Sequence, residues 1–535
     1  MMPPAERHPD APETIELVGQ PREPGVSDAP EPVGPVLAGS VLAGSVLAGS
    51  VLAGSVSAGP VLAGPDGAGR TRRALLSLFP VAPDAPPRGR GRRLLAVAAG
   101  LAAVILGAVV LLLRIPGIPS WDTIYSEDYS EFLIGALQHP GDLFIEYNGY
   151  EELLPRVAAQ LVTYLPLADV AAAFAWCGAL TAAACALFVF HASAGHVRSV
   201  ALRVLLAAAV ILLSVAPMEI ADSAVDAPWY LLLALFWAVL WRPRSRTGMA
   251  VAAFVGFLSA ASTSIAFLFL PLLGIRAFAL RRPRDHAVTA GWLAGCVLQL
   301  PLIVSSALSG QSRLVGGQDP DHGSVNPLGS AVHFFAHDVV LRAVGWHLSW
   351  WLESATSEHW ATVIVAVGLV AVLGTLVVAQ RETRPFTIAA VATGFVSTLF
   401  CVFLTPWEVT YPVTRQREMA ARYTVLPIFL IEAALIVAAD QALRRYRDSR
   451  ARPETVRRRP SPLRPALAVT ALVALLAVGW IPDFRYAGLR AAPSAHQWSA
   501  VVTQWHQDCQ LSTTGQLSAQ VKNGAWTISC SRLRF

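Results

Sequence analysis

Two adjacent acidic residues between apolar segments are the first candidates for chemistry in this chain. Glu127 and Asp128, with Asp122 nearby, follow the first long apolar segment. Residues 115–155 contain eight carboxylates and no Lys or Arg. Neighbouring ionisable side chains held at a bilayer surface can bind a metal, orient a substrate hydroxyl or accept its proton. A solvated acidic loop is the alternative interpretation, because exposed acids are common.

A second acidic group lies in a short connection between two later apolar segments. Glu219, Asp222 and Asp226 occur there, bracketed by Pro217 and Pro228. The prolines shape the turn, and Glu219 is close enough to a helix end to be held by it. An ordinary polar connector is the alternative.

A basic group precedes a late apolar segment. Arg415, Arg417 and Arg422 are followed by Tyr423. Guanidinium groups suit phosphate recognition, and a lipid phosphate lies at the bilayer surface. The alternative is that these residues neutralise nearby acids. Spacing does not decide which arginine meets a ligand.

Residues 147–156 combine aromatic side chains, Gly149 and a charged residue, Arg156, at the start of a predicted interfacial helix. Tyr150 and Arg156 are candidates for shaping a binding pocket. Aromatic residues at a membrane surface are the alternative interpretation. Glu432, midway along a predicted span, is a separate candidate for a protonated or paired carboxyl group.

The composition predicts a polytopic membrane protein. Hydrophobic residues make up 54% of the 535 residues and charged residues only 14%, which is too apolar for a soluble protein of this length. The net charge of +5 does not indicate nucleic-acid binding, because the arginines cluster in short loops between apolar runs.

The apolar runs predict an all-α protein with about eleven transmembrane helices, and the arginine distribution places the N-terminus in the cytoplasm. Residues 249–280 are too long for one span, so we predict a helical hairpin that turns at Ser262 to Ser264. The three charged groups then face outside. The predicted spans are 94–113, 170–191, 197–216, 229–241, two within 249–280, 287–307, 360–378, 387–404, 424–439 and 466–481.

The two ends of the chain lie outside this transmembrane domain of residues 93–482. Residues 1–92 contain four consecutive Val-Leu-Ala-Gly-Ser repeats, and we predict a disordered cytoplasmic tail. Residues 483–535 form a predicted extracytoplasmic tail. Cys509 and Cys530 are disulfide candidates if that compartment is oxidising.

Short motifs resemble those of the GT-C class of integral membrane glycosyltransferases, in particular proteins from high-GC bacteria. Gly149-Tyr150-x-x-Leu153-x-Pro155-Arg156 resembles a stretch after the first span of these proteins. Glu219 with Trp229-Tyr230, and Arg422-Tyr423 with Pro427, match two further motifs. Asp226 departs from the pattern, because relatives often carry an amide there.

The resemblance implies transfer of a sugar from a polyprenyl phosphate to a hydroxyl acceptor at the outer membrane face, with inversion. It implies that Asp128 or Glu127 is the base and that Glu219 binds acceptor or metal. Arg422 and Arg415 would hold the phosphate, and Tyr423, Arg156, Tyr150 and Asp226 would line the substrate site. A divalent cation, Mg²⁺ or Mn²⁺, would bind Asp128 and Glu219 if it is needed.

Two other classes of function remain open. A transporter or lipid flippase would also place polar groups between helices, but it should show internal repeats and broken helices at the bilayer midplane, and no repeat is visible. A structural or assembly partner would carry a degenerate site. The chain has no phosphate-binding P-loop and no HExxH or CxxC motif.

Overall fold

The computed structural model describes residue 72 and residues 75–83, 89–125, 127–147, 149–216, 220–309, 327–379, 382–404, 421–451, 463–485, 497–521 and 524–534. These residues are mostly helical. The Val-Leu-Ala-Gly-Ser repeats, predicted to be disordered, lie outside the described residues.

In the described part of the chain, the main elements are sixteen helices and, near the C-terminal end, two strands. The helices are α1 Arg90–Leu112, α2 Ile134–Gln138, α3 Leu153–Val162, α4 Val170–Ala192, α5 Val200–Leu212, α6 Ala227–Leu240, α7 Arg246–Ser262, α8 Leu270–Ala279, α9 Ala287–Leu308, α10 Pro327–Phe334, α11 Trp346–Ala355, α12 Glu358–Ala379, α13 Arg384–Leu404, α14 Val425–Ala451, α15 Leu463–Trp480 and α16 Trp498–Leu511; the strands are β1 Gln516–Val521 and β2 Gly524–Ser529.

Each apolar run predicted to span the membrane coincides with a helix, but not every helix is long enough to cross. Among the described residues, five helices meet the length and hydropathy of a span: Arg90–Leu112, Leu167–Gly195, Pro283–Leu308, Arg384–Phe403 and Ala421–Asp448. Most of the other helices are shorter. Ala227–Leu240 has 14 residues, about 21 Å of helix against a hydrocarbon core of about 30 Å. The count of eleven spans is therefore not confirmed.

The long apolar segment at residues 249–280 breaks at the predicted position. Thr263 is extended between α7 and a 3₁₀ turn, Ser264–Phe269, which leads into α8. The Thr263 side chain accepts a hydrogen bond from the Ile265 amide, so the residue that interrupts one helix also begins the next turn.

Two helices form the centre of the molecule. Every residue of α6 is buried. In the helix Ala421–Asp448, 94% of the residues in an apolar stretch of 18 are buried. A helix that is apolar on all sides is expected to be surrounded by other elements. α6 and α14 are therefore the supports against which the connecting loops are positioned.

Small residues bring α7 and α9 into close contact. A Cβ atom on Gly291 would lie 1.9 Å from the carbonyl oxygen of Ala253, and one on Gly295 would lie 2.6 Å from that of Phe257. Such backbone approach is typical of helix pairs in membranes. The pair fixes Ser262 and Gln299, which both contact the segment between α1 and α4. We call this segment the first outer loop after its predicted location.

Part of the N-terminal stretch is folded against the helices. Leu78 and Phe79 are buried, and the Phe79 ring lies 5.7 Å below the Arg276 guanidinium. Residues 75–83 therefore correct the prediction that residues 1–92 are disordered. The physical reason is that Leu78 and Phe79 remove apolar surface from solvent against the core.

The C-terminal segment folds as a small unit on the first outer loop. It consists of α16 and an antiparallel hairpin in which Gln516 pairs with Ser529. The hairpin adds β structure to a fold predicted to be all-α. Trp498 is buried and donates a hydrogen bond of 2.8 Å to the Leu167 carbonyl. We call residues 497–534 the C-terminal cap.

Candidate functional site

Asp128 connects the first outer loop to the segment between α5 and α6. We call that segment the second outer connection after its predicted location. It begins a π-helical turn, Asp128–Leu133, and is completely buried. The Ser223 hydroxyl (3.1 Å) and the amides of Ala224 (3.2 Å) and Val225 (2.9 Å) donate to its carboxylate. The geometry makes Asp128 a positioning residue, and its predicted role as base stays a prediction.

Glu127, the neighbour of Asp128, differs from it in burial and in hydrogen bonding. Its side chain is partly buried, and its buried Oε2 atom has no hydrogen-bond partner. The charge of Glu127 acts on both Tyr147 and Glu152. Glu127 therefore faces the 147–152 segment and retains an oxygen that can accept a hydrogen bond.

Glu152 is the second carboxyl group of this kind. It is 5% exposed; its Oε1 accepts a 2.8 Å hydrogen bond from the Tyr150 hydroxyl, while its buried Oε2 has no partner. Burial raises the pKa of Glu152 well above its ordinary value; the Tyr150 bond lowers it, and the charges of Asp226 and Glu127 raise it. Burial therefore favours the protonated form of Glu152.

Tyr150 is fixed by the same contact. Burial, followed by the charge of Glu152, raises the pKa of the Tyr150 phenol well above its ordinary value. The phenol therefore stays protonated and donates to Glu152. Gly149, with φ +89°, forms the tight turn between Tyr147 and Tyr150, a backbone conformation that favours glycine.

Side chains of α7 and α9 hold this turn in place. The Gln299 side chain accepts from the Glu151 amide (3.0 Å) and donates to the Glu151 carbonyl (2.6 Å). The Ser262 hydroxyl accepts from the Leu154 amide at 3.1 Å. The Glu151 carboxyl is fully buried with neither oxygen partnered, and burial raises its pKa to about 8.

Arg156 is buried in α3 and organises the backbone of the loop. Its guanidinium donates to the carbonyls of Ile145 (3.1 Å) and Glu131 (3.0 Å) and lies 4.6 Å from the Phe132 ring. The predicted role of Arg156 in shaping a binding pocket stays a prediction. Its donors are directed at main-chain oxygens, so it acts through the loop.

The late basic segment reaches the same place through Arg422 and Tyr423. The Tyr423 ring packs edge-on against Trp229, at 5.6 Å between centroids, and Arg422 donates to the Tyr423 hydroxyl at 3.4 Å. Burial raises the pKa of Tyr147; the charges of Glu127 and Glu152 raise it further, and that of Arg422 lowers it. Acids from the first outer loop and a guanidinium from residue 422 therefore act on one phenol.

Asp226 lies at the start of α6 and is 2% exposed. Its charge acts on Glu152 and on Tyr230, so the second outer connection adds a further acid to this region. The structure thus gathers Glu127, Asp128, Asp226, Tyr150, Arg156, Arg422 and Tyr423. The charges of Glu127, Glu152 and Arg422 all act on Tyr147, and we call the region between these four residues the acid pocket.

Asp122 is not part of the acid pocket. Its carboxylate accepts from the Gln497 side chain (2.7 Å), the Ser499 amide (2.9 Å) and the Ser499 hydroxyl (3.1 Å). These contacts attach the beginning of α16 to the first outer loop. The predicted Cys509–Cys530 disulfide is present and ties α16 to the end of the hairpin.

Comparison with protein-family models, curated proteins and solved structures finds no match. The geometry alone therefore carries the functional argument.

Glu219 and Arg415 lie outside the described residues, so their predicted roles stay predictions. Within the described part of the chain, no three or more His, Cys, Asp or Glu side chains form a group that could hold a metal ion. The Asp128 oxygens already face N–H and O–H donors, which repel a cation. A divalent cation bound through Asp128 and Glu219 stays a prediction that the described residues do not support.

The sequence pattern does not single out Glu151 and Glu152 as site residues, although both lie inside the motif that runs from Gly149 to Arg156. The signal was available, because two consecutive acids open an amphipathic helix in a loop without Lys or Arg. Arg114 was also missed. It is fully buried and donates to the carbonyls of Ile211 (2.6 Å) and Leu213 (2.9 Å), so it fixes the approach to the second outer connection.

Proposed function

We propose that the protein transfers a glycosyl group from a polyprenyl-phosphate donor to a hydroxyl acceptor at the outer face of the membrane. The observation that carries this proposal is the acid pocket. Carboxyl groups with open oxygens, Glu127 and Glu152, lie within electrostatic range of the same phenol as Arg422. An acceptor hydroxyl needs a proton acceptor, and a departing phosphate needs positive charge.

The reaction requires two bond changes that these groups can assist. The acceptor oxygen attacks the anomeric carbon and gives its proton to a carboxylate. The bond from the anomeric carbon to the phosphate oxygen breaks, and the electron pair leaves with the polyprenyl phosphate. Arg422 would meet the developing charge on the phosphate, and attack from the opposite side inverts the anomeric carbon.

A second guanidinium, that of Arg342, lies near the turn that carries Arg422, but it is paired with an acid. A small cavity beside the 3₁₀ turn Ala421–Thr424 is lined by Arg342, Trp346 and Thr424. Arg342 is 4% exposed, lies 4.0 Å from the Trp346 ring and pairs with Glu353 at 3.1 Å. Asp338 also lines this cavity, so acids balance the charge of Arg342 there, and the phosphate role rests on Arg422.

The topology that this function needs also has structural support. The C-terminal cap contacts the first outer loop, so both lie on one side of the membrane, and the number of crossings between them must be even. Our eleven-span path has an even number there, with the break at Thr263 counted as a hairpin. Counting residues 249–280 as one span would make the number odd. The arginine-rich loops favour an outer location for both segments.

Purified protein in lipid nanodiscs, given a radiolabelled polyprenyl-phosphate sugar and a membrane extract as acceptor, tests the proposal. We expect a labelled product that Glu127→Gln with Glu152→Gln abolishes. Glu146→Gln, the same change at a nearby acid of the loop, should keep the wild-type rate. A flippase would move the labelled lipid between leaflets of proteoliposomes and form no new product, and that result would reject glycosyl transfer.

A further inference from the structure

The acid pocket is built to receive hydrogen-bond donors. Glu127 and Glu152 each present one buried oxygen without a partner. Buried polar atoms are almost always hydrogen-bonded, so open oxygens on two neighbouring carboxyls indicate a missing ligand. Glu152 is more than nine-tenths buried, and its other oxygen is held by Tyr150, which leaves one oxygen available in a fixed direction.

The missing ligand is better described as a pair of hydroxyls than as a metal ion or a cationic side chain. No metal-binding group occurs among the described His, Cys, Asp and Glu residues. Arg156 is near Glu152, but its guanidinium donates to main-chain carbonyls. Two open oxygens on neighbouring carboxyls can accept two donors, and neighbouring hydroxyls of a sugar ring supply two donors from one molecule.

Aromatic side chains around the acids fit a sugar ring. Tyr147 and Tyr150 are partly buried beside the carboxyls, and Tyr423 packs on Trp229 at the other side. A sugar has an apolar C–H face as well as hydroxyls, and phenol rings offer both an apolar surface and a polar edge. The same pocket therefore supplies the two kinds of contact that a carbohydrate needs.

We propose that the acceptor is a carbohydrate bound through two neighbouring hydroxyls, one on Glu127 Oε2 and one on Glu152 Oε2. Glu152 takes the proton of the attacking hydroxyl while the bond to the donor phosphate breaks. This assignment rests on the proposed glycosyl transfer and specifies its acceptor. A serine or threonine side chain has a single hydroxyl and would leave one carboxyl oxygen unpartnered.

Binding of small saccharides in the absence of donor tests this assignment separately from transfer. Full-length protein in nanodiscs is titrated with methyl glycosides of glucose, galactose, mannose and arabinose, and saturation-transfer NMR measures Kd. We expect at least one glycoside to bind, and Glu127→Ala or Glu152→Ala to weaken it by about tenfold or more. Glu146→Ala should bind as the wild type does.

A second variant separates binding from proton transfer. Glu152→Gln keeps a hydrogen-bonding side chain but cannot take a proton, so Kd should change by less than about tenfold while transfer to the bound glycoside is lost. All variants are first checked for wild-type melting temperature and elution volume, and a variant that fails the check is replaced by Glu127→Asp or Glu152→Asp.

Three results would overturn the carbohydrate assignment: no glycoside binds, binding is unchanged in the alanine variants, or a serine-containing peptide binds in an acid-dependent way instead. Acid-dependent glycoside binding without any transfer would leave the assignment standing and reject the proposed glycosyl transfer.

Discussion

At the scale of single residues, adjacent acids in the sequence have different roles. Asp128 accepts three hydrogen bonds from residues 223–225, whereas Glu127 keeps an open oxygen. The sequence identifies both acids and their loop. It cannot distinguish their roles, because the donors to Asp128 come from a connection far along the chain and are brought there only by helix packing.

The raised pKa of Glu151 predicts a dependence of stability on pH. Its pKa is about 8 in the folded protein against an ordinary value of 4.5, so the folded state holds one more proton between these values. The stability that protonated Glu151 contributes is fully present below about pH 4.5, and it is lost as the pH rises to about 8. Thermal unfolding between pH 5 and pH 9 should show falling stability in the wild type. Glu151→Gln should flatten that slope, and an unchanged slope would contradict the predicted protonation.

Asp128→Asn should destabilise the fold as well as lower activity. The asparagine NH₂ group would face amide donors, so buried N–H groups would lose their acceptor, at about 2–4 kcal/mol. Differential scanning fluorimetry should show a lower melting temperature, while Asp508→Asn, at an exposed position on α16, should melt as the wild type does. A variant with normal melting but no transfer would return Asp128 to the role of base that the sequence predicts.

At the scale of elements, the sequence predicted the helices and missed the cap. Apolar runs without charge locate helices because buried backbone must bond to itself, and the break at Thr263 was expected from polar residues within a run too long for one span. Span lengths were not predictable, since an apolar run does not mark where its helix ends: α5 stops at Leu212, although the predicted span continues to residue 216. The β1–β2 hairpin has a weak sequence signal, because it is short and largely polar.

Close packing of α7 on α9 should be necessary for the position of Gln299 under Glu151. Gly291→Ala would place a methyl group against the Ala253 carbonyl and should cost about 1–3 kcal/mol. Gly274→Ala is the matched control, because a Cβ there meets nothing within 4 Å, and a helical alanine should be neutral or stabilising. Equal melting temperatures for the two variants would show that α7 and α9 do not pack as described.

At the scale of the whole molecule, the C-terminal cap joins the last segment of the chain to the first outer loop. Tyr129, one residue after Asp128, packs on Trp498 and Trp505 at 6.3 and 6.0 Å between centroids. The sequence suggested the disulfide but gave no indication of this docking, because Asp122 and Gln497 meet only in three dimensions. The cap therefore supports the turn from which the acid pocket is built.

Replacing both cap cysteines should loosen the cap and leave the helices intact. The Cys509–Cys530 bond closes a separation of 21 residues, and its loss should cost about 3 kcal/mol. Cys509→Ser with Cys530→Ser should shift the tryptophan emission of Trp498 and Trp505 to longer wavelength at low denaturant concentration. Cys177→Ser, at a cysteine outside the disulfide, should not. An unshifted spectrum would show that α16 stays docked without the covalent bond.

The central claim is that Glu127 and Glu152 act with Arg422 as one site of glycosyl transfer. The most direct test is a double-mutant cycle on the initial rate of label transfer, using Glu152→Gln, Arg422→Ala and the combined variant. Residues that act as a unit are not additive, so the combined variant should lose little more than the more damaging single change. Losses that multiply, or a wild-type rate in either single variant, would contradict a shared site.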